Sequence, residues 1–214
     1  MTQPTTPTAT ASAIAALLAG AALLTSGCAA VVVGGAVVGG ALVASDRRTT
    51  GSQVDDEVIE QKARSRLNES LGERGHVGAF SYNRMVLLVG EVEAEPDKQT
   101  AEQTIARIDN VQSVVNELRV APATSVGNRA GDALVTTKVR ASLVDAKDLL
   151  ARSFKVTTHR GVVYLMGRVT QREADRAAEV ARGVSGVAKV VKVFDIVTEP
   201  ELNQHAPKSV GQPS

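Results

Sequence analysis

The sequence is poor in aromatic residues and in cysteine, and both shortages restrict what the protein can do. It contains no tryptophan, two tyrosines and three phenylalanines among 214 residues, so aliphatic side chains must build its hydrophobic core. With so few rings, a platform for stacking nucleic-acid bases is not expected. The single cysteine excludes an internal disulfide and a cysteine-based metal cage.

An excess of charge of one sign is also missing. The formal net charge is +1, so no overall field attracts nucleic acid, and we predict no nucleic-acid partner. His76, His159 and His205 lie far apart without metal-ligand spacing, and we interpret His159 as a solvated turn residue. The chain contains neither a nucleophile elbow nor a phosphate-cradling loop. These absences predict a protein that is not an enzyme and has no metal site.

The first 45 residues contain no charged side chain. An apolar run over residues 13–24 ends in Thr25-Ser26-Gly27-Cys28, which resembles a bacterial lipoprotein signal. In such signals the cysteine receives diacylglycerol and acyl chains such as palmitate, and the chain is cut just before it. We therefore predict a signal peptide over residues 1–27 and a lipidated tether rich in Gly, Ala and Val over residues 28–53, with no other cofactor.

Two features of this segment depart from the lipoprotein pattern. No Lys or Arg precedes the apolar run, and Thr25 stands where such signals usually have Leu. The alternative is an uncleaved transmembrane segment with a free Cys28, since residues 29–44 are also apolar. Because Ala29 is not the aspartate that retains bacterial lipoproteins in the inner membrane, the resemblance implies anchoring in the outer membrane, on its periplasmic face.

The rest of the sequence repeats one plan twice, over residues 54–121 and 132–198. The strongest match is between Val86-Leu-Leu-Val-Gly90 and Val163-Tyr-Leu-Met-Gly167. Two copies of this length are too few for a solenoid, so they predict two tandem domains. Residues 122–131, rich in Pro, Gly, Ser and Ala, predict a mobile linker, and residues 199–214, with three prolines, predict a disordered tail.

Each copy predicts the order helix, strand, strand, helix, strand. In the first helix, apolar residues recur at every fourth position, as expected for one buried stripe: Ile59, Ala63 and Leu67 in the first copy, and Val135, Val139 and Leu143 in the second. Asp56 and Asp132 stand at matching positions just ahead of these stripes, where we expect each carboxylate to cap exposed N–H groups. Thr170 and Glu173 form a capping-box pattern at the second helix of copy two.

The predicted fold class is therefore α+β, with a three-stranded mixed sheet in each copy and both helices packed on one face of it. The helix between the second and third strands acts as a right-handed crossover. Gly90 and Gly167 fall at matching places inside the middle strand, where a glycine marks a close backbone approach, and we interpret both as structural.

The whole pattern resembles the BON domain, a small αββαβ module of bacterial envelope proteins. The strings that carry the resemblance include Lys155-Val-Thr-Thr158 and Val184-Ser-Gly-Val187, besides the Gly90 and Gly167 segments above. The resemblance implies a non-enzymatic periplasmic role: binding of anionic phospholipid and support of envelope integrity, with a link to cell division.

The two copies differ in charge. Residues 54–120 contain 13 acidic and eight basic side chains, a net charge of −5, whereas residues 132–197 contain seven acidic and 12 basic ones, a net charge of +5. A basic domain held near a membrane is suited to anionic headgroups. On the first helix of the second copy, Leu134 and Lys138 lie one turn apart beside the core stripe, so we predict phospholipid contact there. Arg140 either joins this contact or forms a structural ion pair.

Two functions remain open at this point. The first is a monomeric, lipid-anchored protein that binds anionic phospholipid through its second repeat. The alternative is a periplasmic adaptor that acts through protein contacts without direct phospholipid binding. The acidic first repeat favours an envelope or division protein as its partner.

Overall fold

The computed structural model describes residues 46–205 and contains two αββαβ repeats, as predicted. The predicted signal peptide, Cys28 and residues 206–214 lie outside the described residues. The first repeat comprises helix α1 (Thr50–Leu71), strands β1 (Gly75–Tyr82) and β2 (Met85–Val92), helix α2 (Glu95–Ala106) and strand β3 (Ser113–Val120). The second comprises helix α3 (Val126–Asp145), strands β4 (Phe154–His159) and β5 (Val162–Val169), helix α4 (Gln171–Arg182) and strand β6 (Lys189–Ile196). A short helix α5 (Glu199–His205) follows.

Each repeat forms a three-stranded mixed sheet, which confirms the predicted fold class. In the first sheet the order is β1-β2-β3, with β1 antiparallel and β3 parallel to the central strand. The second sheet repeats this arrangement with β4-β5-β6. A hairpin joins the first two strands, and the parallel third strand is reached through α2 or α4 as a crossover.

Helices cover one face of each sheet, and the predicted stripes form the contact. In the first repeat Ile59, Ala63 and Leu67 are at most 4% exposed and pack against β2 and α2. In the second, Val139 and Leu143 are likewise buried beneath the alanines of α4. Small side chains at these alanine positions let the two helices of the second repeat pack closely.

The opposite faces of the two sheets pack against each other. The sequence analysis did not predict this arrangement, in which β2 and β5 are covered on both sides. The contact is a separate apolar cluster comprising Tyr82, Leu87 and Val89 from the first repeat and Val162, Tyr164, Met166 and Val193 from the second. Central strands covered on both faces have nearly continuous apolar sequences, as Val86-Leu-Leu-Val does. The two repeats therefore belong to a single compact unit.

The predicted capping role of the two aspartates is wrong. Thr49 and Ser125 cap α1 and α3, because each helix begins about two turns earlier than expected. Asp56 accepts hydrogen bonds from the backbone N–H groups of Asn83 and Arg84, at 2.8 Å each. Asp132 likewise accepts from the N–H groups of the second hairpin turn. Each aspartate therefore fastens its helix to the turn of the neighbouring hairpin.

The earlier helix starts also move the expected boundaries. Helix α1 begins at Thr50, inside the predicted tether, and α3 begins at Val126, so more than half of the predicted linker is helical. The polar residues Thr49 and Ser125 satisfy free N–H groups at those points and allow the helices to start there. Helix α5 likewise occupies part of the predicted disordered tail, where Thr198 bonds to Glu201.

The interpretation of the paired glycines agrees with the structure. A Cβ atom on Gly90, which has a φ of 135°, would lie 2.0 Å from the carbonyl oxygen of His76. A Cβ on Gly167 would lie 2.5 Å from the carbonyl oxygen of Ser153. Both glycines therefore permit a backbone approach that a side chain would block. The Thr170–Glu173 capping box is also present at the start of α4.

Candidate functional site

The solvent-facing side of α3 presents an apolar stripe. Its three large members are Val126, Leu134 and Val144, which are 73%, 64% and 68% exposed. The smaller members, all exposed, are Ala130, Ala133, Thr137 and Ala141. At 100° per residue these seven positions lie within an arc of roughly 100°, along about 27 Å of helix. An exposed apolar stripe of this length is unusual on a soluble surface and indicates a contact with an apolar partner.

One basic group, Lys138, borders this stripe beside Leu134, and one exposed acidic group, Asp145, lies at its C-terminal end. Lys138 is exposed one turn from Leu134, as predicted, and no ion pair holds its ammonium group within the part of the chain that the structure describes. Of the two acidic residues of α3, Asp132 is buried beneath the helix and Asp145 is its last residue. The stripe therefore carries positive charge beside an apolar surface.

Arg140 has a role that the sequence analysis did not predict. Its guanidinium group donates a 3.0 Å hydrogen bond to the carbonyl oxygen of Val156, on the outer edge of β4. It forms no ion pair within residues 46–205. The contact holds the C-terminal half of α3 against the sheet.

Two further contacts fix the orientation of α3. The carboxylate of Asp132 accepts hydrogen bonds of 2.8 and 2.9 Å from the backbone N–H groups of Arg160 and Gly161. The hydroxyl groups of Thr136 and Thr158 lie 2.8 Å apart. Because these contacts all use the sheet-facing side, the apolar stripe is directed towards solvent.

A buried carboxylate joins the two repeats at one end of their interface. Glu91, on β2 and 2% exposed, accepts hydrogen bonds from Thr124 and Arg160, and its Oε1 lies 2.8 Å from Nε2 of His159. Burial opposes ionisation, yet the bonds from Thr124, Arg160 and His159 outweigh it and lower the pKa of Glu91 to about 2. The prediction that His159 is a solvated turn residue is therefore wrong. We call Glu91, Thr124, His159 and Arg160 the seam cluster.

The end of the tether is attached to the second repeat. Arg47 forms a two-pronged ion pair with Glu173, at 2.6 and 2.8 Å, and also donates to the carbonyl oxygen of Arg168. The hydrogen bond from Arg47 lowers the pKa of Glu173 despite its burial. Arg48 stacks on Tyr82 with its guanidinium carbon 4.4 Å from the ring centre. The polypeptide therefore touches both repeats before α1 begins.

Neither a metal cage nor a membrane-crossing helix is found in the described part of the chain. No three His, Cys, Asp or Glu side chains within it are arranged to hold a metal ion. None of its helices combines the length and the apolar character needed to cross a bilayer.

The comparison with known families agrees with the repeat architecture. The family model described as "BON domain" matches residues 55–122 and again residues 131–198. The chain belongs to the BON-domain family. The two matches coincide with the two αββαβ repeats, so each repeat is one BON domain, and the seam cluster lies between them.

Three relatives each match between 65% and 70% of the chain. The chain is 40% identical over 149 residues to the "Outer membrane lipoprotein DolP" of Haemophilus influenzae, covering 69% of this chain and 77% of that protein. It is 36% identical over 152 residues to the "21 kDa hemolysin" of Actinobacillus pleuropneumoniae, covering 70% and 78%. It is 31% identical over 144 residues to "Osmotically-inducible protein Y" of Escherichia coli, covering 65% and 72%.

Sequence reasoning found part of the α3 site and missed the rest. Leu134 and Lys138 are exposed as predicted, but Val126 and Val144 were not connected with them. The signal was present, since both share the helical face of Leu134 at 100° per residue. Val126 was missed because the helix was expected to start after the linker, so the position lay outside any predicted helix.

Proposed function

We propose that this protein is a lipoprotein of the outer membrane, anchored through Cys28, which uses α3 of its second BON domain to bind anionic phospholipid. The observation that carries the phospholipid part is the apolar stripe of α3 with Lys138 beside it. Leucine and valine side chains enter the acyl boundary of a bilayer, while an ammonium group meets a headgroup phosphate. The name of the 40% identical relative supports the outer-membrane location.

The proposed anchor and the proposed surface support each other physically. The diacylglycerol and acyl chain expected on Cys28 would hold the protein at the membrane surface, where even a weak contact of the folded repeats can form. The α3 stripe supplies a second contact of the right chemistry on the basic repeat. Support of envelope integrity and a place at division sites belong to the same proposal. No catalytic step is part of it.

Vesicle sedimentation tests the phospholipid surface. The protein that begins at Cys28 is mixed with vesicles of phosphatidylglycerol or of phosphatidylcholine, and we expect binding to the first only. Leu134→Glu removes an apolar contact and adds a repelling charge, so binding should weaken by about tenfold or more. Val58→Glu is the matched control, because Val58 holds the equivalent position on α1 and is also exposed.

Two results of this experiment would contradict the phospholipid proposal. One is equal binding to both kinds of vesicle. The other is a Leu134→Glu protein that sediments like the Val58→Glu control. The anchor is tested separately by mass spectrometry of the mature N-terminus, where we expect an acylated Cys28, and an unmodified Cys28 would refute it.

A second candidate function is that of a periplasmic adaptor that binds a protein partner and no phospholipid. The net charge of −5 on the first repeat supports it, because a surface of one sign favours a partner of complementary charge. It predicts no vesicle binding and a partner that is released by salt.

A further inference from the structure

We propose that the outer edge of β1, in the first repeat, is a docking site for an extended segment of a partner protein, which adds to the sheet as a further strand. Strand β1 pairs with β2 on one side only. An unpaired strand edge presents a row of N–H and C=O groups that an extended chain can match. The inference does not depend on phospholipid binding, which involves the other repeat.

The hydrogen bonds around β1 show which backbone groups face outwards. The carbonyl oxygen of Arg74 accepts from the N–H of Glu93, so even-numbered positions face β2. The N–H of Ser81 donates to Glu60 at 2.7 Å, and its carbonyl oxygen accepts from Lys155 at 3.1 Å, so odd-numbered positions face away. Val77 and Ala79 therefore direct their backbone groups outwards. Nothing in the described part of the chain hydrogen-bonds to those groups.

The sequence of β1 lacks the usual protection of a strand edge. Proteins commonly place charged residues on such edges to prevent pairing with other chains. The other three edge strands follow this rule, since β3 contains Glu117 and Arg119, β4 contains Lys155, and β6 contains Lys189, Lys192 and Asp195. The eight residues of β1 include no Asp, Glu, Lys or Arg.

Cavities flank the unpaired edge on both faces of the sheet. On the helix side, a cavity of about 480 Å³ lies between α1 and the start of β1, and is lined by Arg64, Leu67, Leu71 and Val77 among others. On the side of the second repeat, a cavity of about 320 Å³ is lined by Gly78, Phe80 and residues of β4. Successive side chains of an added strand point to opposite faces, so the two cavities would receive them alternately.

The corresponding edge of the second repeat is occupied at its middle. The guanidinium group of Arg140 donates a hydrogen bond to the outward-facing carbonyl oxygen of Val156. The side-chain hydroxyl groups of Thr158 and Thr136 are also hydrogen-bonded to each other. In the first repeat Arg64 stands at the position of Arg140. Arg64 has no ion-pair partner within residues 46–205 and lines the larger cavity instead. The occupied carbonyl of Val156 and the charged Lys155 on β4 therefore favour the first repeat as the docking site.

These contacts define the occupant. The free stretch runs from Gly75 to Ala79, because Glu60 and Lys155 already use the backbone of Ser81. The partner segment is extended, carries apolar side chains for the surface of Leu67 and Leu71, and places a carboxylate opposite Arg64.

The test uses a random heptapeptide library displayed on phage and selected on the protein that begins at Cys28. We compare the unmodified protein with Ala79→Pro, which removes one outward N–H, and proline is tolerated where the N–H of an edge strand faces solvent. Selected peptides, made synthetically, should bind Ala79→Pro about tenfold more weakly because a backbone hydrogen bond is lost. Val120→Pro is the matched control, on the opposite edge of the same sheet, and should bind them normally.

A second variant keeps the test informative if proline unfolds the strand. Arg64→Glu leaves the backbone intact and should weaken the binding of peptides that contain a carboxylate. The proposal is overturned if no peptide is enriched, or if enriched peptides bind Ala79→Pro and Arg64→Glu like the unmodified protein. It is also overturned if the edge instead pairs two copies of this chain, seen as a dimer that Ala79→Pro dissociates. Both variants should still sediment with phosphatidylglycerol vesicles, which separates this site from the phospholipid proposal.

Discussion

Helices α1 and α3 occupy the same place in the two repeats but present different surfaces to solvent. Their buried stripes are equivalent and apolar, and Lys62 corresponds to Lys138. Their outer faces differ at four positions, where the first repeat has polar residues and the second has small or apolar ones: the pairs Glu57/Ala133, Gln61/Thr137, Ser65/Ala141 and Asn68/Val144. At two other positions α1 is apolar and exposed as well, where Val54 and Val58 correspond to Ala130 and Leu134. The fold constrains only the buried stripe, so the outer face was free to acquire a function in one repeat alone.

The interface between the repeats shows a similar difference in charge. Glu91 of the first repeat corresponds to Arg168 of the second, and each lies at the same position in a central strand. Glu91 contacts the hairpin turn of the second repeat through Arg160, while Arg168 lies 3.6 Å from Asp195, which in turn binds Asn83 of the first hairpin turn. An ion pair of opposite charges, Glu91 with Arg160, therefore joins the repeats at one position, and a hydrogen bond between Asn83 and Asp195 joins them at the other.

Among equivalent positions, we expect the largest difference in the stability lost on substitution at the two strand glycines, Gly90 and Gly167. Gly90→Ala should destabilise the protein by about 3 kcal/mol or more, because the new Cβ meets the backbone and φ is strained. Gly167→Ala should cost less, since its φ is not positive and the carbonyl lies further away. Urea denaturation of the two variants checks the order, and equal midpoints would contradict it.

The two helix aspartates should also differ in their effect on stability. Asp56→Ala leaves two buried N–H groups and the hydroxyl of Ser81 without partners and also removes an ion pair with Arg48. Asp132→Ala affects only two N–H groups. We expect losses of about 3 and about 2 kcal/mol in the free energy of unfolding. Asp145→Ala, on the exposed end of α3, serves as the control and should have little effect.

Acidification should weaken the seam cluster. Because the pKa of Glu91 is lowered to about 2 in the folded protein, its carboxylate stabilises the fold above its ordinary pKa, and that stability is lost as the pH falls from about 4.5 towards 2. The effect should be smaller than that of Asp56→Ala, because a protonated Glu91 still accepts some of the same hydrogen bonds. Thermal unfolding between pH 7 and pH 3 measures the slope. Glu91→Gln should flatten it, and an unchanged slope would show that other carboxylates cause it.

The smallest predicted effect concerns Val144 of α3 and its equivalent on α1, Asn68. Val144→Asn gives α3 the residue that α1 has at the same position, and should weaken binding to phosphatidylglycerol vesicles by about fivefold, since one exposed valine is lost. The reciprocal change, Asn68→Val, should add no binding, because the neighbouring positions of α1 remain polar. Vesicle titrations compare the two variants, and a gain from Asn68→Val would place the binding surface elsewhere.

Much of the fold was predictable from local patterns. Three patterns each indicate a structural role within a few residues of sequence. They are the four-residue spacing of Ile59, Ala63 and Leu67, the Thr170–Glu173 capping box and the paired glycines. The boundaries of α1 and α3 could not be predicted in this way. A Gly- and Ser-rich segment indicates a loop, although a capping residue such as Ser125 can start a helix within it. Asp56 and Asp132 were misread for the same reason: an aspartate near a helix start satisfies N–H groups equally well in its own helix or in a distant turn.

Periodicity and composition were enough to predict the two αββαβ repeats, the stripe that each first helix buries and the opposite charges of the two halves. The sequence patterns did not predict that the sheets pack face to face, that Glu91 contacts His159 and Arg160, that Arg140 binds the outer edge of β4, or that the edge of β1 stays open from Gly75 to Ala79. Such contacts join residues as far apart as Asn83 and Asp195, which are separated by 112 positions, so neighbouring residues carry no local signal of them.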